Sequence, residues 1–163
     1  MTSNLERVFP KLARGAYHVT SPADDSYNCV AWAAQDTSRW WWPDAEQTSY
    51  WPRIAPRTAT LPAFVQAFNL LGYAVCATGD IEPGYEKIAI YSKRGGELTH
   101  VAKQQANGRW TSKLGTAEDI EHDALDALRG TTYGDPVLFL KRKRIGWLHS
   151  ILRVFAKWLQ RRP

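Results

Sequence analysis

The sequence predicts an α+β fold: a helix opening at Cys29 packed on a mostly antiparallel sheet. Three observations carry this. Asn28 precedes Cys29-Val30-Ala31-Trp32-Ala33, a capping residue followed by small and apolar residues with no helix breaker. Phe64, Val65, Phe68 and Leu71 recur at helical spacing behind Thr60 and Pro62. Beyond residue 72 the chain turns to short β-rich runs separated by Gly-Gly and Asn-Gly turns. At 163 residues the chain is long enough to bury a core as one domain.

Taken in order, residues 1–27 read as an irregular leader, with turn signals at Pro10, Gly15, Ser21-Pro22 and Asp24-Asp25. A helix follows over 29–36, capped by Asn28. Residues 37–60 form a long loop rich in Trp and Pro, including Trp40-Trp41-Trp42-Pro43 and Tyr50-Trp51-Pro52. A second helix starts near Pro62 and ends at Gly72. Strands are expected at 73–76, 87–91, 99–104 and 109–114, with turns at Gly95-Gly96 and Asn107-Gly108. Thr116 and Asp119 have the spacing of a capping box, which predicts a helix over 116–129 closed by Gly130. Pro136-Val137-Leu138-Phe139-Leu140 reads as a last, buried strand. There is no internal repeat and no low-complexity segment.

Two cysteines, Cys29 and Cys76, do not make a disulfide framework, and no Cys/His group has zinc spacing. Neither a metal nor a cofactor is expected. The first seven residues lack the basic start and apolar stretch of a signal peptide. That predicts a reducing cytoplasm, with delivery by a signal-independent route left open. The net charge of +5 is unevenly placed. Residues 141–163 hold eight basic residues and no acid, so the remainder carries thirteen basic against sixteen acidic residues. Nucleic-acid enzymes more often spread basic residues over a binding face, which argues against that class.

The chemistry-bearing residues are Cys29 and His100. A helix start presents a thiol to free backbone N–H groups and lowers its pKa, which makes it a nucleophile. His100 opens the apolar-leaning run Leu98-Thr99-His100-Val101-Ala102, where a strand would hold its ring as a base. The bland alternative is a small buried thiol and an incidental strand histidine. Ser112 is the candidate third residue. A two-residue turn at Asn107-Gly108 points Ser112 away from His100; one more loop residue puts it on the His100 face. Asp119 and His122 are other partners, read first as a cap and a solvated helix residue.

Tyr27-Asn28-Cys29 and His100-Val101-Ala102 resemble the papain-like thiol hydrolase superfamily, in its NlpC/P60 branch. There an acid or amide precedes the Cys, and a His-Val-Gly-like strand follows. Ser112 falls where that branch has its polar third residue, usually His, Asn or Asp. The resemblance implies a papain-like fold, catalytic roles for Cys29, His100 and Ser112, and an amide-cleaving activity on a protein, peptide or peptidoglycan stem. The chain is also similar to a group of bacterial proteins that carry like Trp-rich segments and Trp110-Thr111-Ser112-Lys113-Leu114-Gly115. That likeness spans most of residues 15–141.

Tyr27, Trp41, Trp42 and Trp51 are candidate substrate contacts, because aromatic walls suit peptides and glycan-linked peptides. Tyr27 serves equally as an oxyanion donor or a packing residue, and most of the loop tryptophans serve as anchors to the core. Ile145, Leu148, Ile151, Leu152, Phe155, Trp158 and Leu159 follow helical spacing with basic residues on the other faces. This predicts a basic amphipathic helix over 142–163, outside a catalytic domain of residues 1–141. It suits an anionic membrane surface or packing on a protein. The expected function is a Cys-His thiol hydrolase, with deamidase or acyltransferase chemistry drawing on the same parts. The rival is a non-catalytic module whose Trp loop and C-terminal helix bind partners.

Overall fold

The computed structural model describes residues 3–144. Its backbone is a seven-stranded, fully antiparallel sheet in the order β1-β6-β5-β4-β3-β7-β2. The strands are β1 (Tyr17–Ser21), β2 (Ala74–Cys76), β3 (Tyr85–Ser92), β4 (Leu98–Gln104), β5 (Trp110–Lys113), β6 (Asp119–His122) and β7 (Asp135–Lys143). Three short helices accompany them: α1 (Asn4–Val8), α2 (Cys29–Ala34) and α3 (Leu61–Asn69).

This overturns the expected papain-like α+β class. The longest described helix has nine residues, and the sheet, not a helix laid on it, dominates the described residues. Two misread segments account for much of the difference. Residues 17–21 form an edge strand, although His18, Val19 and Thr20 are exposed and offer no apolar alternation. Residues 119–122 form β6 rather than the middle of a helix. Thr116 and Asp119 do have capping-box spacing, but pairing with β5 on one side and β1 on the other satisfies that backbone better than an isolated helix would.

Each face of the sheet carries a core. On the first face Ile88, Ile90, Val101 and Leu140 meet α2, α3 and the Trp-rich loop. On the second, Ala89, Tyr91, Ala102, Trp110 and Ile120 meet Phe9, Leu12 and Leu128. β3 is therefore buried on both sides along nearly its whole length, as a central strand must be.

α2 begins where the sequence places it. The Asn28 side chain accepts from Ala31 N at 3.0 Å and donates to Trp41 O at 2.7 Å, so one residue caps the helix and ties down the following loop. Ala31 and Ala33 are fully buried, and their small side chains let the helix approach β4 and β5 closely. The loop is pinned by its aromatics: Trp42 and Trp51 pack against Phe64 of α3, and Trp41 against Tyr50.

β7 continues through Lys143, past the expected boundary at 141. Lys141 pairs with Glu82 at 2.6 Å, and Arg142 pairs with the buried Glu86, so these cations belong to the body. The amphipathic helix expected at 142–163 lies almost wholly outside the described residues. No described helix is long and apolar enough to cross a membrane.

Candidate active site

The β4–β5 hairpin sets the geometry. Gln105 N donates to Arg109 O at 2.8 Å, closing a loop of residues 106–108, and the register runs Lys103↔Thr111 and Gln104↔Trp110. That odd-numbered loop puts Ser112 on the same face as His100. Ser112 Oγ lies 2.9 Å from His100 Nε2 and 3.0 Å from His122 Nε2. His122 stands two residues beyond Ile120, the cross-strand partner of Ser112, a diagonal position within reach of a short side chain. His122 Nδ1 lies 2.8 Å from Ala124 O. All three side chains are buried.

β4 and β5 pair only at those two positions and then part. α2, which Cys29 opens, lies against both strands. Cys29 belongs to the first-face core, while the alternation along β4 puts His100 on the second face with Tyr91. Cys29 lines a cavity of about 270 Å³ with Asn28, Trp40, Trp42, Thr99, Gly115 and Tyr133. Thr99 adjoins His100 in β4, and the Tyr133 ring stacks on the His100 ring at 4.2 Å between centroids. His100 Nδ1 is buried and has no hydrogen-bond partner among the described residues, the Cys29 thiol included.

The electrostatics differ from expectation. Burial pushes the Cys29 thiol up to about 11, although the N–H groups of Val101, Val30 and Cys29 itself pull the other way. The six-residue helix does not win against desolvation. Burial, with a smaller contribution from the charge His122 would carry, lowers His100 to about 3. Burial likewise lowers His122. At neutral pH the site therefore holds a neutral thiol and neutral imidazoles.

Of the other expected contacts, Trp42 reaches the cavity. Trp41 and Trp51 are buried anchors, their indole N–H groups donating to Asp36 Oδ2 and Pro56 O, each at 2.9 Å. Tyr27 is buried, and its hydroxyl donates to Asp119 Oδ2 at 2.6 Å, so it serves a second cluster. In that cluster Lys113 and Asp119 are fully buried with Nζ and Oδ1 3.9 Å apart. Trp40, one of the loop aromatics expected to wall a groove or anchor the loop, also lines the cavity; sequence reasoning passed over Tyr133 and ranked His122 as a solvated helix residue. The alternation Ile120–His122 beside Trp110 was the signal for a buried histidine.

Larger cavities, of about 560 and 440 Å³, lie elsewhere. Neither is lined by a thiol, so size alone does not mark the reactive place. Among the described residues, no group of three or more His, Cys, Asp or Glu side chains is placed to hold a metal ion.

No curated protein and no solved structure matches the chain. A family model does, over residues 18–141, which takes in every strand but part of β1 and β7 and all of the residues around Cys29. By that match the chain belongs to the family described as Domain of unknown function (DUF7689).

Proposed function

We propose that the chain is a thiol hydrolase that cleaves an amide bond through an acyl group carried on Cys29. The observation that carries this reading is the bare Nδ1 of His100, buried without a partner behind the Thr99–Tyr133 wall of the Cys29 cavity. A buried acceptor left unpaired costs about 1–3 kcal/mol, which a base awaiting a proton would justify. The resting pair is not hydrogen-bonded, and such contacts often tighten only with substrate bound.

In the proposed cycle the Cys29 proton passes to His100 Nδ1 as the sulfur attacks the carbonyl carbon. The N–H groups of Cys29, Val30 and Val101, which act on the sulfur, are the donors the cycle assigns to the developing oxyanion. The C–N bond breaks, and the leaving amine takes the proton from His100. Water then attacks the thioester, giving up a proton to His100, and the thiol is restored as the acid leaves. Replacing water by an amine would give acyl transfer. Among the described residues no charged side chain lines the cavity, which suits an uncharged acyl portion of a peptide, a protein side chain or a peptidoglycan stem.

The rival reading is a non-catalytic module that binds a partner through its Trp-rich loop and C-terminal segment. It is favoured by the neutral state of Cys29 and His100 and by the lack of a hydrogen bond between them. The two readings part in an acylation assay with p-nitrophenyl acetate and peptide mapping. The hydrolase reading expects acetyl on Cys29 well ahead of Cys76, and His100→Ala should slow it about 100-fold or more. Equal, slow modification of both cysteines, or indifference to His100→Ala, overturns it.

A further inference from the structure

We infer that His122, acting through Ser112, is a positioning residue that fixes His100 in the tautomer whose Nδ1 is free to take a proton. The inference builds on the hydrolase reading for its consequence but on hydrogen-bond chemistry for its content.

The direction of every bond in the chain follows from one end. Ala124 O is a carbonyl and can only accept, so His122 Nδ1 carries the hydrogen across 2.8 Å. His122 is buried and neutral, which leaves Nε2 with a lone pair. Ser112 Oγ must then donate to it across 3.0 Å. Having spent its one hydrogen, Ser112 Oγ accepts from His100, so His100 Nε2 carries the hydrogen across 2.9 Å. A neutral imidazole has one N–H, and Nδ1 of His100 is left bare. It is also the atom that the fold leaves without a partner.

A serine alone would not do this. Its hydroxyl both donates and accepts, and beside a lone histidine it would turn to suit either tautomer. His122 removes the choice. This accounts for a Ser in a place where a residue of fixed polarity is expected: the polarity is supplied one step further back, by a backbone carbonyl. Tyr133, stacked on the ring, and Tyr91, meeting it edge-on at 5.4 Å, hold its plane.

Long-range proton–nitrogen correlation spectra of the histidine rings report the tautomer directly, and Cys29 acetylation by p-nitrophenyl acetate reports its consequence. Wild-type His100 should be in the Nε2–H form. Ser112→Ala and His122→Ala should lose that preference and slow acetylation on the order of 10–100-fold. His122→Gln presents an amide oxygen to Ser112 and should restore both. An Nδ1–H tautomer in the wild type, or an unchanged tautomer in Ser112→Ala, overturns the inference, and Ser112→Ala decides if His122→Ala fails to fold. Should wild-type Cys29 prove unreactive, the hydrolase reading falls while the tautomer spectra still judge the lock.

Discussion

Raising the pH is the perturbation that most sharply separates two ways of using Cys29. In one, thiol and imidazole form a resting ion pair; in the other, His100 is a neutral base that acts only during attack. On the proposed hydrolase reading, burial of both groups puts this site in the second class, with the thiol at about 11 and His100 at about 3. At pH 7 about one Cys29 in 10⁴ is then a thiolate, against about three in 100 for an ordinary exposed thiol. Iodoacetamide, which needs only the thiolate, should therefore label Cys29 about 300-fold more slowly than a free thiol. The rate should climb about tenfold per pH unit up to about pH 10, without a plateau. Since His100 is not what sets the thiolate fraction, His100→Ala should leave this profile unchanged. Peptide-resolved alkylation rates from pH 5 to 11 provide the assay. Labelling near its limiting rate at pH 6, lost in His100→Ala, would mean an ion pair and would refute the reasoning.

Two further outcomes concern stability. His100 and His122 are both held neutral in the fold, so below about pH 6.5 the unfolded chain binds protons that the native one refuses. Stability is fully present above that pH and falls as pH drops toward 3, by about 1.4 kcal/mol per pH unit for each histidine in its window. Urea midpoints from pH 7 to 5 should show it, and His100→Phe should reduce the slope; a flat profile would contradict the neutral assignment. The buried Lys113–Asp119 pair, 3.9 Å apart, interacts by about 4 kcal/mol at an effective dielectric of 20. Asp119→Asn or Lys113→Met alone should each cost about 3–5 kcal/mol, and the double variant much less than their sum. Additive losses in urea unfolding would argue that the two charges do not see each other.

Local rules carried the sequence far at α2 and along the central strands. Asn28 announced a cap, Pro62 and the Phe64–Phe68 spacing announced α3, and the β-rich runs at Lys87–Tyr91 and Thr99–Gln104, parted by Gly95-Gly96, announced β3 and β4. These signals are written in neighbouring residues. β1 and β6 were not so written. Their backbones are satisfied by partners that local pattern does not reveal, Val19 of β1 by Ile120 of β6, and Ile120 by Ser112 of β5 in turn. The pair Cys29 and His100 was legible as residue types in a suggestive order. Their electrostatics were not, because the rise of the thiol to about 11 comes from desolvation by chain segments remote in sequence. The same holds for Tyr133, which reaches His100 from a loop closed by the Gly130–Gly134 bridge.

The place of β7 has a consequence for how the molecule comes into being. The last of the described strands does not add to an edge; it lies between β3 and β2, pairing with both. During synthesis Cys29 leaves the ribosome more than a hundred residues before Lys143 does. Until then β3 has one open flank and β2 has no strand to join. A chain halted before β7 would present an unpaired, largely apolar β3 to its neighbours, the kind of edge that recruits other chains. The loop bearing Tyr133 would also lack its downstream anchor. Assembly of the sheet and covering of His100 thus wait together on the arrival of β7.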